Sequence, residues 1–304
     1  MNRENPIVVK FCPHGINSKD FRPIKDTELL IETKKQYFGG KIPNFVALFN
    51  SRNIRRKCIP DLLAAWKIFM DSNPGDKEET ALLLHTDPID QNGTDLFAVR
   101  EALFGKNSNV YFTNSKLDTE GMNLLYNIAN VTILPSSAEG WGLSLTESLM
   151  AGTMIIANVT GGMQDQMRFE DEDGKWIEFD ENFLSNHFGK YKICGEWARP
   201  VFPNNMSIVG SIQTPFIYDD RLDFRDLAVA IGECYDLGPK LLKTLGQKGR
   251  KWVTSDESMM SADNMCKNII EGIDETLIKW KPKKSFELVK VLKEEQKLNH
   301  PLVY

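Results

Sequence analysis

The 304-residue sequence has no run of eighteen or more apolar residues, so nothing in it reads as a membrane-spanning helix. Its first thirty residues, MNRENPIVVKFCPHGINSKDFRPIKDTELL, lack the apolar stretch and small-residue cleavage site of a secretory leader, and a cytoplasmic location is expected. Cysteine is scarce. Cys12, Cys58, Cys194, Cys234 and Cys266 form no Cys-x-x-Cys pair and suggest neither a zinc site nor a disulfide framework. His14, His85 and His187 have no metal-ligand spacing with a carboxylate or cysteine, and no metal or other cofactor is expected. A basic excess is missing as well: 37 Lys and Arg against 42 Asp and Glu give a net charge of -5, which argues against a nucleic-acid partner. Without a leader, the Asn-x-Ser/Thr matches at Asn92, Asn130, Asn158 and Asn205 read as chance. There is no internal repeat and no low-complexity tract.

What is present is an ordinary 41% hydrophobic content in a chain long enough for one large or two modest domains. Ile7 to Phe11 (IVVKF) reads as a short strand stopped by Pro13-His14-Gly15, followed by a linker. From Phe45 apolar strands alternate with helices. Strands are expected at 45–49, 81–85, 109–113, 131–134 and 153–157, with helices at 60–71, 95–104, 119–129 and 144–151. This order favours a doubly wound α/β domain, a Rossmann-like parallel sheet with helices on both faces, because parallel strands require crossovers. The strands are near-continuous apolar runs, as suits a sheet covered on both sides. An aromatic, Gly- and Pro-rich stretch at about 169–218 interrupts the pattern and reads as an ordered excursion or hairpin. Helices are expected again at 223–236, 239–253 and 258–279, and the charged tail from Lys283 spaces Phe286, Val289 and Leu292 as a helix would. The division is thus 1–40 as a remnant strand and linker, 41–280 as the main domain, and 281–304 as a tail or helix.

Chemistry concentrates in VTILPSSAEGWGLSLTESLMAGTMIIANVTGG at 131–162. A strand ends at Pro135, small residues follow, and a helix starts near Leu143. In open α/β sheets ligands bind beyond the carboxyl ends of strands, where a helix N-terminus offers N–H groups to phosphate. Gly140 and Gly142 permit close backbone approach. Glu147, one turn inside the helix, can accept both hydrogen bonds of a ribose diol. The plainer alternative makes Glu139 a helix-start acid and Glu147 a solvated helix residue. A second cluster, FNSRNIRRKCIPDLL, carries Arg52, Arg55, Arg56 and Lys57 at the end of another strand, where cations suit a diphosphate; a solvated basic loop is the alternative. Asp171-Glu172-Asp173 reads as a solvated turn, and Asp219-Asp220 as a loop or cap.

Glu139-Gly-Trp-Gly-Leu-Ser-Leu-Thr-Glu147 resembles the E-x7-E motif of retaining GT-B glycosyltransferases of family 4, with Ala151-Gly152 and Gly161-Gly162 following. Arg52 and Lys57 match that family's Arg-x4-Lys, Leu125 to Asn130 resembles its helix before the motif strand, and Pro13-His14-Gly15-Ile16-Asn17 its interdomain linker. The resemblance implies the C-terminal, donor-binding domain of such an enzyme. Glu139 would then meet the donor sugar, Glu147 the ribose, and Arg52 with Lys57 the pyrophosphate. The backbone at Gly142-Leu143 would add N–H donors, and Phe112 and Thr113 would lie near the base. Catalysis would come from stabilising the departing diphosphate. The implied partners are a nucleotide sugar and a glycan, lipid or protein acceptor, with a separate chain as a possible source of an acceptor domain. Ser51 stands where the family usually has glycine before the motif arginine, and the stretch at 169–218 is longer than the family's usual connection. Other readings of the same pattern are a noncatalytic nucleotide-sugar binding subunit and a nucleotide-sugar epimerase.

Overall fold

The computed structural model describes residues 7–73, 78–105, 108–177 and 184–282. Helix α1 (Thr27–Tyr37) starts where the Asp26 carboxylate accepts from the Leu29 N–H at 3.0 Å. Then β1 (Phe45–Asn50), α2 (Ile59–Ser72), β2 (Thr80–His85), α3 (Leu96–Phe104), β3 (Val110–Thr113), α4 (Thr119–Ile128), β4 (Val131–Leu134), α5 (Leu143–Ala151) and β5 (Met154–Asn158) alternate. After them come α6 (Met163–Met167), β6 (Ala198–Val201), the hairpin strands β7 (Asn205–Val209) and β8 (Ile217–Arg221), and α7 (Phe224–Val253) and α8 (Ala262–Lys279). α7 is kinked at Gly238, whose φ of 71° precedes Pro239.

Strands β1 to β6 make one parallel sheet in the order β3-β2-β1-β4-β5-β6. The chain winds outward from β1 to β3, then returns to the other side of β1 as β4. That reversal opens a crevice beyond the carboxyl ends of β1 and β4, where open α/β sheets take their ligands. The middle strands are largely apolar and buried except for Asn50 and His85 at the carboxyl ends of β1 and β2, and Phe45, Trp66, Phe69 and Tyr235 pack ring on ring to tie β1 and α2 to α7. Among the described residues no helix is long and apolar enough to cross a membrane.

Several expectations need correction. Ile7 to Phe11 forms no strand, because no neighbouring strand offers it a ladder; Ile7 and Val9 are exposed. The supposed linker before residue 40 contains α1, which packs beside α4. β6 lies inside the 169–218 excursion and extends the sheet as an edge strand, which is where its Pro200 is tolerated. The helices expected at 223–236 and 239–253 do lie on either side of a break at Gly238, whose backbone is non-helical, whereas the last described helix begins at Ala262 rather than 258. Asp219 and Asp220 lie in β8, with Asp220 buried. The tail helix expected from Lys283 lies outside the described residues.

Residues 13–22 are held fast. Ile16 pairs by backbone with Met260 and Ala262, each at 3.1 Å, and Gly15 sits so close that a Cβ would strike the Ser261 carbonyl. The Arg250 guanidinium ties the carbonyls of Ser18 and Phe21 to that of Met150 at the end of α5.

Candidate functional site

Two loops build the crevice. After Asn50 the chain makes one 3-10 turn, Arg55–Lys57, and enters α2 through Cys58 in the left-handed region at φ 52°. A non-glycine residue there stores strain that the surroundings must hold. The second loop supplies the hold: Ser137 N–H donates to the Arg56 carbonyl at 2.8 Å, and the Arg56 guanidinium donates to the Ala138 carbonyl at 2.6 Å. Each loop therefore fixes the other.

The β4–α5 loop ends at Gly142, whose φ of 85° turns the chain into α5. No side chain caps that helix, and Gly142, Leu143 and Ser144 line the cleft, so the positive end of the helix dipole faces it. Gly161 and Gly162 lie directly beneath: a Cβ on Gly161 would strike the Glu139 carbonyl, and one on Gly162 the Gly140 carbonyl. Below them Gln166 donates to the Trp141 carbonyl at 2.6 Å, while Trp141 donates to Thr146 at 2.9 Å. The site loop is thereby braced from within the fold.

Charge is concentrated at Glu139. Its carboxylate receives Lys57, and Arg56 at 2.9 Å, with the Glu139 side chain 6% exposed and that of Lys57 9%. Burial raises the Glu139 pKa, but the attraction of Lys57 and the bonds from Lys57 and Arg56 outweigh it and hold the group below its usual value. Burial, with the Arg56 charge nearby, leaves Lys57 below its usual value although Glu139 pulls it up. One turn into α5, Glu147 accepts from the Tyr126 hydroxyl at 2.6 Å, and that oxygen accepts from Asn50 at 2.7 Å. Burial pushes Glu147 up, and the same burial beside a carboxylate lifts Tyr126 well above its usual value.

Lys57, Glu139 and Glu147 line a cleft of about 430 Å³ together with His14, Asn50, Ser51 and Trp141. An adjoining hollow of about 350 Å³ shares Asn50 and Ser51 and is completed by Arg52, His85, Thr86, Asp87, Asn114, Ser115 and Lys116. In it His85 Nδ1 and Thr86 Oγ1 are buried with no hydrogen-bond partner among the described residues. Unpaired buried polar atoms at a cavity wall are what an incoming polar ligand can satisfy.

Of the residues singled out from the sequence, Lys57, Glu139, Gly142, Leu143 and Glu147 come together in the cleft, and Gly140 is exposed beside it with open space where a Cβ would stand. Arg52 is not with them. It lies at the lip of the adjoining hollow, 64% exposed, paired with Asp90 at 2.7 Å, and Arg56 takes the place beside Glu139. Phe112 packs against Phe97 and Arg100, and Thr113 bonds Ser115 at 3.2 Å, so the hollow is lined by the residues just after them. The sequence reading passed over His14, Tyr126, Trp141 and Asn50. His14 reaches the cleft mouth because the linker is clamped, its ring centroid 5.9 Å from that of Trp141. The Asp171–Asp173 segment is a solvated turn whose Asp171 carboxylate accepts from the Asp173 and Lys175 N–H groups. Among the described residues no three acidic, His or Cys groups gather to hold a metal.

Residues 38–182 match the family described as Glycosyl transferases group 1. The alpha-monoglucosyldiacylglycerol synthase of Acholeplasma laidlawii is 28% identical over 178 residues, which cover 56% of this chain and 40% of that protein. Among solved structures, the sucrose-phosphate synthase of Thermosynechococcus elongatus superposes with a TM-score of 0.60 at 21% identity, covering 88% of this chain and 53% of that one. Anabaena Alr3699/HepE in complex with UDP and glucose superposes with a TM-score of 0.59 at 14% identity, covering 86% and 55%. The chain thus spans about two fifths to half the length of these proteins. The architecture is the Rossmann-like GT-B fold, and residues 38–182 are similar to the glycosyltransferase group 1 domain.

Proposed function

We propose that this chain provides the donor site of a retaining glycosyltransferase of family 4, transferring a sugar from a nucleotide-sugar donor to a glycan, lipid or protein acceptor. The observation that carries the reading is the meeting of Lys57, Arg56 and Glu139 in front of the uncapped N-terminus of α5. Two cations against one carboxylate leave a positive balance, and the helix adds about half a charge. That is the field a departing nucleoside diphosphate requires, so the charge of the leaving group is met by side chains and backbone N–H groups. The diphosphate competes with Glu139 for the two cations, which frees the Glu139 carboxylate to accept from sugar hydroxyls. Glu147, held by Tyr126, takes the ribose diol, and the base enters the hollow with His85 and Thr86.

The complex of HepE with UDP and glucose makes UDP the first nucleotide to try, and the synthase relative favours a lipid among the acceptors. Val8 beside Ile269, Ile273 and Leu277 of α8 forms an apolar flank next to the clamped linker, fit to meet an acceptor-binding domain of the same or another chain. Thermal melting with millimolar UDP, GDP, ADP and their sugars tests the reading. A ligand at one hundred times its Kd adds about 2.7 kcal/mol and a clear rise in Tm. Unchanged melting with all of them contradicts it.

A further inference from the structure

The hairpin β7–β8 is unlike the rest of the surface. From Val201 to Tyr218 the chain carries no charged side chain, in a protein whose residues are 26% charged. Its apolar groups stand in solvent: Ile208 is 58% exposed, Phe216 60% and Ile212, in the connecting loop, 96%. Met206 and Val209 are exposed as well.

The strand register shows which way they face. Ile208 stands opposite Tyr218 on one side of the ribbon, and Val209 opposite Ile217 on the other. Apolar side chains therefore occupy both faces and the tip. A ribbon that docks on a protein keeps one face dry and one polar. Beyond its charged root at Asp219, Asp220 and Arg221, the ribbon is apolar on both faces, and such a tip suits a medium that surrounds it.

Charge next to the hairpin points the same way. The Ser185 hydroxyl meets the Met206 sulfur at 3.7 Å, so segment 184–193 flanks the hairpin base and adds exposed Leu184, Phe188 and Ile193. Lys190 and Lys192 are exposed on this segment, Lys192 lying 4.2 Å from the centroid of Phe202, at the approach to β7. Apolar side chains flanked by lysines match acyl chains beneath anionic headgroups.

We propose that the β7–β8 hairpin, flanked by Lys190 and Lys192, docks the protein on an anionic lipid bilayer. Insertion stops at the headgroup and upper acyl level, because a two-stranded ribbon has open backbone edges that hydrocarbon cannot satisfy. The anchor is rigid at its root: buried Asp220 accepts from Thr160 at 2.7 Å and Asn186 at 2.9 Å, and its N–H donates to the Ser137 carbonyl at 2.8 Å. Ser137 lies two residues before Glu139, so the bilayer contact is tied directly to the cleft loop. Docking needs no nucleotide, so this inference stands or falls separately from the donor reading.

Sedimentation with vesicles of phosphatidylcholine and phosphatidylglycerol, against phosphatidylcholine alone, tests it. The wild type should sediment with the anionic vesicles. Ile212→Asp with Phe216→Asp should lower the partition coefficient at least about tenfold while melting as the wild type, because both sites are exposed. Lys190→Glu with Lys192→Glu should remove the preference for anionic lipid. Val229→Asp, at an exposed apolar site on α7, should change nothing. Should the first variant melt early, Ile212→Ser with Phe216→Ser replaces it. Wild-type protein that stays in solution overturns the proposal, as does a hairpin variant that sediments like the wild type. A wild-type dimer that the variant splits, without vesicle binding, also overturns it by making a second copy the occupant.

Discussion

The cleft loop and the hairpin share one joint, Ser137 with Asp220, yet they are built by opposite rules. At 135–142 nearly every position is fixed from inside: Arg56 bonds Ser137 and Ala138, Gly161 and Gly162 close the floor, and Gln166 holds Trp141. In the hairpin, side chains beyond Asp220 have little protein around them. The first region is specified by the fold and holds its groups ready for a small charged ligand. The second is left apolar for something outside the protein. Substitutions should therefore cost stability in one region and leave it unchanged in the other.

The largest effect is expected at the joint. Asp220→Ala removes a buried carboxylate and leaves the donors of Thr160 and Asn186 unpaired, which should cost about 3–5 kcal/mol in urea unfolding. A loss below about 1 kcal/mol would show that the two regions are not joined there.

A pH effect comes next, from the layer that braces the loop. Asp165 on α6 is buried, and burial pushes its pKa from 3.8 to about 7. The folded state then holds this proton more tightly than the unfolded chain does. Its stabilising share is complete below about pH 4 and is lost as pH rises through about 7. Between pH 5 and pH 8 the wild type should lose up to about 3 kcal/mol that Asp165→Asn does not lose. Parallel pH profiles for the two proteins in denaturant titrations would remove Asp165 from the account.

Tyr126→Phe should have a smaller effect. It withdraws the hydroxyl between Asn50 and Glu147, costing about 1–2 kcal/mol of stability and weakening UDP binding several-fold in calorimetry. Smallest of all, Ile212→Asp should shift stability by no more than about 0.5 kcal/mol, because nothing in the protein packs on it. A large loss there would mean that the hairpin tip is buried by the protein itself and would dissolve the contrast.

The sheet was legible because its strands are continuous apolar runs, and β1 to β5 fall within a residue or two of expectation. β6 was hidden by Pro200, which argues against a strand except at an edge. α1 was overlooked although its Asp26 cap is visible in the sequence, and the run at Ile7 to Phe11 looked like a strand because apolar pattern reports propensity without reporting a pairing partner. In the cleft the glutamates and Lys57 could be picked out by spacing. Whether Arg52 or Arg56 reaches Glu139 could not, since a 3-10 turn and a strained Cys58 decide it. Tyr126 was out of reach too, because its hydroxyl meets Glu147 only once α4 packs beside α5.

The central claim is that the donor phosphates meet Lys57 at the α5 N-terminus, with Arg52 outside that contact. Titration calorimetry of UDP into wild type, Lys57→Ala and Arg52→Ala tests it most directly. The account predicts binding by the wild type, its loss in Lys57→Ala, and only a few-fold weakening in Arg52→Ala. No binding of UDP, GDP or ADP by the wild type, or an Arg52→Ala loss as deep as that of Lys57→Ala, would contradict it.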